Sequence, residues 1–381
     1  MTTDNNSELH KLLIFFSQQG GSDLFITAGR PVTMKKDRRL INITEDNLTP
    51  EVVTELCIEI MNHEQLSSFQ NTQESNFAYH IPGIARYRVN VFVQRGTPGM
   101  VIRFVHTEIP EFSTLNLPSI LKEPIMEKNG LILIVGGTGS GKSTTLASLI
   151  DLRNTEQEGH IITIEDPIEF VHSHKKSIVT QREVGVDTDS YASALKNTLR
   201  QAPDVILIGE IRAKDTMEHA IAFSETGHLC LSTLHANNTN QTLDRIINFF
   251  PADERDHILM DLSLNLRAIV AQRLIPKIGG GLIAAIEVLI NTPRMSELIF
   301  DGKVSEIKKL MQDSRVAGMQ TFDTALFDLY EQGLIAYEDA LRGADSMNDL
   351  RLNIKLNSKL PLPHSLESKG SSEAPQFNLK S

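Results

Sequence analysis

The sequence lacks the features of disulfide-rich secreted proteins and of membrane spans. Only two of its 381 residues are cysteines, Cys57 and Cys230, and they are far apart without metal-type spacing. A disulfide framework is therefore not expected, and a structural zinc site with four cysteines is excluded. No window approaches the about 20 apolar residues that a spanning helix needs, and "LLIFF" is too short for a cleaved signal. These absences predict a protein of a reducing cytoplasm.

A dominant positive charge is also missing. The chain has 37 Lys and Arg residues against 48 Asp and Glu residues, a formal net charge of −11. Proteins that bind duplex DNA usually display a basic face, so we expect no nucleic-acid partner. Nucleotide binding stays possible, because it depends on local dipoles and a few cations.

The pattern of apolar residues divides the chain into parts. Residues 1–107 predict a small α+β domain, in which Thr49 and Pro50 begin a helix and "IARYRVNVFVQRGTPGMVIRFV" alternates as a hairpin. Residues 108–128 read as a linker. Buried strands then alternate with helices over 129–350, which is typical of a parallel sheet covered on both faces. The last part, 351–381, is rich in Pro, Ser and Lys and is predicted to be a disordered tail.

A phosphate-binding loop follows the first of these buried strands. Residues 136–143, "GGTGSGKS", match G-x-x-x-x-G-K-[ST] between a strand and a helix. The glycines let backbone N–H groups converge on phosphate oxygens at the positive end of the helix. Lys142 is expected to reach the β- and γ-phosphates, and the Ser143 hydroxyl to complete a Mg²⁺ shell. The motif predicts ATP and Mg²⁺ as ligands, with nucleotide contacts from Gly136, Gly137, Thr138, Gly139, Ser140, Gly141, Lys142, Ser143 and Thr144.

Acidic residues and histidines stand at the ends of further strands. Glu165 ends "IITIE", and Glu210 follows "DVILIG", where Gly209 replaces the usual Walker B acid. In open parallel sheets such carboxylates gather at the carboxyl ends of the strands, where they can serve Mg²⁺ or water. His235 follows the strand "LCLSTL", whereas His228 precedes it at the opposite end, so the two cannot share one metal ion. Capping acids in solvent and structural histidines remain the alternatives.

Four blocks together resemble the secretion-superfamily ATPases, which power type IV pili and type II secretion. "GGTGSGKSTTLASLID" resembles their Walker A, "ITIEDPIEF" their Asp box, "DVILIGEIR" their Walker B and "TGHLCLSTLHANNT" their His box. "GSDLFITAG" and "IPGIARYRVNVF" are similar to the pilus-retraction branch, PilT and PilU. The resemblance covers residues 5–345. "SELIFDGK" stands where PilT-like proteins carry Ala-Ile-Arg-Asn, and this departure resembles PilU more than PilT.

The resemblance implies an α/β fold, with a RecA-like P-loop ATPase core and a smaller N-terminal α+β domain that is PAS-like. It implies a homohexameric motor that hydrolyses ATP through domain closure and drives pilus retraction, and so twitching motility, together with a PilT-type ATPase. The motor would be cytoplasmic and peripheral at the inner membrane, where it meets the pilus platform protein, so that membrane contact is indirect.

The resemblance also implies roles for single residues. Glu165 corresponds to the general base, and Glu210 to the Walker B acid that acts on Mg²⁺ through water. The His-box residues are His228 and His235, with His235 nearer the γ-phosphate. The arginines that approach nucleotide across a domain or subunit boundary are Arg86, Arg88 and Arg103. Two other functions remain open, a regulatory nucleotide-binding subunit of another motor ring and a P-loop kinase.

Overall fold

A computed structural model of the chain describes residues 7–36, 39–81, 84–105, 108–313 and 318–360. The chain divides into two compact units. Unit 1 comprises Met1–Pro110 with Asn154–Pro203, and unit 2 comprises Glu111–Arg153 with Asp204–Ser381. The predicted domain boundaries follow the chain without this interleaving, and they remain a prediction.

Both units contain β-strands and α-helices. In the described residues the strands are β1 Asp23–Thr27, β2 Thr33–Lys36, β3 Arg39–Asn42, β4 Glu74–Ile81, β5 Ala85–Gln94, β6 Thr97–Val105, β7 Gly130–Val135, β8 Gly159–Glu165, β9 Ser177–Glu183, β10 Val205–Ile208, β11 Leu229–Leu234, β12 Leu266–Pro276 and β13 Leu282–Ile290. The α-helices of the same residues are α1 Glu8–Gln18, α2 Pro50–Ile60, α3 His63–Thr72, α4 Lys122–Ile125, α5 Lys142–Glu156, α6 Tyr191–Thr198, α7 Lys214–Glu225, α8 Thr239–Ile247, α9 Arg255–Asn265, α10 Pro293–Phe300, α11 Val304–Asp313, α12 Phe322–Glu331, α13 Tyr337–Gly343 and α14 Met347–Asn357.

Unit 1 contains an antiparallel sheet in the order β3-β2-β1-β6-β5-β4. The predicted hairpin is confirmed as β5 and β6, and alternate residues of β5 are buried because successive side chains point to opposite faces. Tyr87 is fully buried there, and its hydroxyl donates a 2.7 Å hydrogen bond to the carbonyl of Leu13 in α1. The predicted helix start at Thr49 is also confirmed, since its side chain accepts from the N–H of Val52.

A second part of unit 1 is the parallel pair β8 and β9. The two strands run in register from Gly159 opposite Ser177 to Glu165 opposite Glu183. The strand β8 was expected from its apolar run, whereas β9, "SIVTQRE", was not. Only Ile178 and Val179 of its residues are apolar, and they are adjacent, so the segment lacks the alternation that predicts a strand.

Unit 2 contains strands in the order β13-β12-β7-β11-β10. The four strands from β12 to β10 are parallel, and β13 is antiparallel to β12. Every residue of β7, β10 and β11 is buried, as the near-continuous apolar runs predicted. The long strand β12 was missed, because Leu, Arg, Ala and Gln also favour helices and its strand character comes from its neighbours.

The C-terminal end of the described chain is helical where a tail was expected. Helix α14 runs over Met347–Asn357, and Ser346 caps its first turn by accepting from the N–H of Asp349. Leu350 and Ile354 are one helical turn apart and fully buried, which explains why the helix forms. Residues 361–381 of the predicted tail lie outside the described residues. None of the helices described is both long and apolar enough to cross a membrane.

Candidate nucleotide site

The predicted phosphate loop joins β7 to α5 in unit 2. The strand ends at Val135, and the helix begins at Lys142 with the N–H of Thr145 bonded to the carbonyl of Gly141. The Lys142 ammonium donates 2.9 Å hydrogen bonds to the carbonyls of Gly136 and Gly137, so it lies over the loop. Loop and helix therefore present a cation and unbonded first-turn N–H groups together, as phosphate binding requires.

Two glycines of this loop would meet other groups of the protein if they carried a Cβ atom. Gly136 has φ +154°, and a Cβ there would lie 2.6 Å from the backbone oxygen of Gln272 in β12. Gly141 has φ +89°, and its Cβ would lie 2.7 Å from the Gln272 side-chain nitrogen. The side-chain oxygen of Gln272 in turn accepts a 2.7 Å hydrogen bond from the Thr145 hydroxyl. Gln272 thus supports the loop from β12, a contact that could not be expected from the sequence.

Glu210 lies at the same edge of the parallel strands as the loop. It follows β10, whose register places Ile208 beside Ser232 of β11. The turn is anchored by the hydroxyl of Ser232, which donates to the Ile208 carbonyl at 2.7 Å, and by that of Thr233, which donates to the Gly209 carbonyl at 2.7 Å. The carboxylate of Glu210 is held in a mostly buried position at this edge.

Of the two predicted histidines, the structure brings only His235 to Glu210. The His235 Nε2 lies 3.1 Å from one Glu210 carboxylate oxygen, and the Arg212 Nε donates to the other at 2.8 Å. His228 precedes β11, where its Nδ1 lies 3.2 Å from the Phe223 carbonyl. The six residues of β11 separate the histidines by about 20 Å. These contacts favour a structural role for His228.

The electrostatics of the loop suit an anion with a small cation. Burial lowers the pKa of the Lys142 ammonium, and the charge of Glu210 partly offsets this effect. Among the described residues, the Ser140 hydroxyl is buried without a hydrogen-bond partner, while Ser143 is exposed in the first turn of α5. One hydroxyl and one carboxylate suit Mg²⁺, which keeps several waters and is held together with substrate phosphates. The described part of the chain has no cluster of three or more His, Cys, Asp or Glu side chains suited to a metal.

A cavity of about 500 Å³ opens beside the loop in unit 2. Thr144 and Thr145 of α5 line one side of it, and the apolar side chains of Leu274, Ile283 and Leu334 line another. Ligand pockets are commonly of this size and combine apolar walls with a few polar groups. The sequence did not predict this cavity, because its walls come from segments far apart in the chain.

Glu165 lies in unit 1, at the end of β8. One of its carboxylate oxygens accepts a 2.6 Å hydrogen bond from the Thr163 hydroxyl and a 3.3 Å bond from the Gln181 amide. Burial raises the pKa of Glu165 to about 7, although the Thr163 and Gln181 hydrogen bonds act in the opposite direction. A carboxyl group with this pKa is suited to accept a proton near neutral pH.

The three predicted arginines lie on neighbouring strands of the antiparallel sheet of unit 1. Arg86 donates to the buried carboxylate of Glu183 at 3.2 Å, and Arg103 donates to Asp23 at 2.8 Å. Arg88 lies directly opposite Arg103 in the register of β5 and β6. Two of the three arginines therefore already hold carboxylate partners, which sequence reasoning did not reveal.

Comparisons with known proteins extend over most of the chain. Residues 8–320 match the family model described as Type II/IV secretion system protein. The chain is 57% identical to the type IV pilus ATPase PilU of Pseudomonas aeruginosa, over 94% of each protein. It is 41% identical to the type IV pilus retraction ATPase PilT of the same organism, over 87% of this chain and 97% of that protein.

A solved structure also matches. The crystal structure of the pilus retraction motor PilT with bound ADP superimposes with a TM-score of 0.85 at 41% identity, over 91% of this chain and 99% of that chain. The prediction of a RecA-like P-loop core with a smaller N-terminal α+β domain is confirmed, as is the greater similarity to PilU than to PilT. The chain binds nucleotide as an ATPase, and it belongs to the Type II/IV secretion system protein family, within the PilU and PilT group of type IV pilus ATPases.

Proposed function

We propose that the chain is the subunit of a homohexameric motor that hydrolyses MgATP to retract type IV pili, acting together with a PilT-type ATPase. The observation that carries the proposal is the meeting of the phosphate loop, Glu210 and His235 at one edge of the parallel strands. The names of the relatives PilU and PilT support the pilus as the object of the motor.

The residues of unit 2 divide the work at the phosphates. The loop amides and the Lys142 ammonium bind the β- and γ-phosphates, where the lysine exchanges its carbonyl partners for phosphate oxygens. Ser143 and, through water, Glu210 would hold Mg²⁺, which neutralises charge on the leaving phosphate. His235 senses the γ-phosphate, because it is held against Glu210 at the end of β11.

Glu165 accepts the proton of the attacking water. Its raised pKa supports this role, since a base must be deprotonated at the working pH and still bind a proton well. The Thr163 hydrogen bond at 2.6 Å fixes the carboxylate orientation and leaves its second oxygen free of that contact. Ionisation of Glu165 would therefore control the rate of hydrolysis near neutral pH.

Arginines of unit 1 make hydrolysis depend on closure. Guanidinium groups bind phosphate oxygens through paired N–H donors, so an arginine supplied by another domain or subunit stabilises the transferring phosphoryl group. We assign this role to Arg88 before Arg86 and Arg103, because those two arginines are each paired with a buried carboxylate. Loss of the γ-phosphate then weakens the closed state and lets the domains separate.

The nucleobase is assigned to the cavity of about 500 Å³ next to Thr144 and Thr145. Its apolar wall, which includes Leu274 and Ile283, suits the face of a flat heterocycle. The cavity adjoins the first turn of α5, the place where a nucleotide held by its phosphates would extend.

The motor would work in the cytoplasm, at the inner-membrane face of the pilus machine. Six subunits closing in turn would move the platform protein of the pilus, so that the membrane is contacted only through this partner. No nucleic acid takes part, which agrees with the net charge of −11.

The test is ATP turnover by purified wild type, Lys142→Ala and Glu210→Gln. We expect both variants to lose most of the activity, by about 10²-fold or more, because each removes a charge at the phosphates. Lys303→Ala is the matched control, since that lysine is paired with Asp301 on the surface. Equal ATP turnover in wild type, Lys142→Ala and Glu210→Gln would exclude hydrolysis at this site. The function that remains would then be a regulatory nucleotide-binding subunit. Transfer of phosphate to an added acceptor would instead indicate a kinase.

A cellular experiment tests the pilus part of the proposal. Cells that carry Lys142→Ala in place of the wild-type chain should show reduced retraction and twitching while the protein level stays the same. Unchanged retraction and twitching in Lys142→Ala cells that keep the PilT-type ATPase would refute the motor role.

A further inference from the structure

Two consecutive residues of β12 contact different parts of the candidate site. One supports the phosphate loop, and the other contacts the segment after β11 that carries His235. Gln272 and Arg273 point to opposite sides of the strand, as neighbours in a strand do. Gln272 accepts from the Thr145 hydroxyl at 2.7 Å and so supports the phosphate loop. Arg273 donates to the carbonyl of Asn237 at 3.1 Å, two residues after His235. The strand β12, which was not predicted from the sequence, therefore contacts both the phosphate loop and the segment that carries His235.

The Arg273 guanidinium is fixed on several sides. It donates to the carbonyl of Gly343 at 2.7 Å and to a carboxylate oxygen of Asp345 at 2.5 Å. Its central carbon lies 3.9 Å from the centre of the Phe322 ring. A planar guanidinium that is stacked and bonded through both terminal nitrogens has little freedom to turn. The carbonyl of Asn237 is thereby held at a fixed place relative to the C-terminal segment Gly343–Asp345.

Asp345 is anchored as firmly as Arg273. Its second carboxylate oxygen accepts from the Lys308 ammonium at 2.8 Å, and its backbone N–H donates to Asp323 at 2.8 Å. Burial alone would raise the pKa of Asp345, but Lys308 and Arg273 outweigh burial and lower it. The ion pair therefore persists at neutral pH, and removal of one partner leaves the other charge poorly solvated.

The loop that Arg273 holds is the one that carries His235. We define the His235 loop as residues 235–238; it begins at the end of β11 and ends at Asn238, whose side chain caps α8. Arg273 contacts the loop through a main-chain carbonyl, so the contact sets the path of the backbone. A misplacement of about 1 Å at a catalytic group can cost about 100-fold in rate.

We propose that Arg273 is a positioning residue for ATP hydrolysis, which holds the His235 loop against the C-terminal segment Gly343–Asp345. The proposal rests on the proposed role of His235 at the γ-phosphate. It implies that movement of the C-terminal segment changes the hydrolysis step, whereas nucleotide binding on the loop, supported by Gln272, continues.

The test separates kcat from KM for ATP in two variants of neighbouring residues. Arg273→Gln should lower kcat about 10-fold to 100-fold with little change of KM, because the phosphate loop keeps its support. Gln272→Leu should mainly raise KM, because the Thr145 hydroxyl loses its acceptor. Arg273→Lys should recover part of kcat, since it keeps the charge but not the fork of donors. Arg294→Gln, which breaks an exposed ion pair with Glu297, is the control and should match wild type.

A double-mutant cycle tests the route through Asp345. Asp345→Asn alone should lower kcat, and its combination with Arg273→Gln should cost clearly less than the product of the two single effects. An unchanged kcat in folded Arg273→Gln overturns the proposal. The proposal is also overturned if the double variant loses kcat by the product of the two single effects and if the loss of kcat in each variant only follows its loss of Tm. If Arg273→Gln does not fold, Arg273→Lys and Asp345→Asn carry the same comparison.

The same assay distinguishes this failure from failure of the proposed function. His235→Ala and Lys142→Ala are measured beside the Arg273 variants. A low kcat in both of these with a normal kcat in Arg273→Gln refutes only the positioning role. A normal kcat in His235→Ala refutes the role of His235, and with it the coupling through its loop.

Discussion

The ionisation of Glu165 offers the sharpest test of the catalytic assignment. Burial raises its pKa to about 7, while the Thr163 hydroxyl at 2.6 Å lowers it. With that pKa the carboxylate form would rise from about one-tenth at pH 6 to about nine-tenths at pH 8. If Glu165 is the base, kcat should rise about tenfold over the same interval.

Two substitutions should move this rise in opposite directions. Thr163→Val removes a donor to the charged form, a contact that contributes about 1.5–3 kcal/mol. This corresponds to an upward shift of about one pH unit or more. Glu169→Gln removes a nearby negative charge that raises the pKa, so the midpoint should move down. Because Glu169 is exposed and screened, that shift should be about 0.5 pH unit or less.

The measurement is kcat at saturating MgATP from pH 5.5 to 9 for wild type and each variant. Thr180→Val is the matched control, because Thr180 lies on the adjoining strand β9 and contacts His160. Protonation of ATP itself affects all the proteins equally, so it cancels when their midpoints are compared. Active Thr163→Val and Glu169→Gln proteins with the wild-type midpoint would show that another group governs the rise, and Glu165 would not be the base.

Two further predictions concern packing. Gly136→Ala should weaken ATP binding and lower stability by about 1–3 kcal/mol, because its Cβ meets the Gln272 backbone at positive φ, whereas Gly137→Ala has free space and should fold as wild type. Nucleotide titration measures ATP binding, and urea unfolding measures stability. Equal results for Gly136→Ala and Gly137→Ala would contradict the strain at Gly136. Ile354→Ala should cost about 2–5 kcal/mol in urea unfolding because it empties a buried site, while Leu356→Ala, 70% exposed, should stay within about 0.5 kcal/mol. Similar losses in both would mean that α14 does not pack as described.

The fixed spacing of short motifs made the nucleotide site predictable from the sequence. The glycines and Lys142 of the phosphate loop lie within eight consecutive residues, and the order strand, loop, helix follows from their local chemistry. Glu210 and His235 could be placed because the carboxyl ends of parallel strands share one edge. In each case the information is local, or it follows from one topological rule.

Contacts between distant segments decided the rest. Sequence reasoning missed β12 because its composition also favours a helix, and only pairing with β7 and β13 makes it a strand. Gln272 and Arg273 gain their contacts to the phosphate loop and the His235 loop through that pairing.

The charge state of single groups was likewise outside the reach of the sequence. The raised pKa of Glu165 depends on the burial of β8, and the pairing of Arg86 with Glu183 joins residues 97 positions apart. The sequence by itself determined which groups we propose to bind phosphate, because those groups are neighbours in the chain. The tertiary structure alone decided how they are supported and ionised, because burial and pairing depend on residues that only the fold brings together.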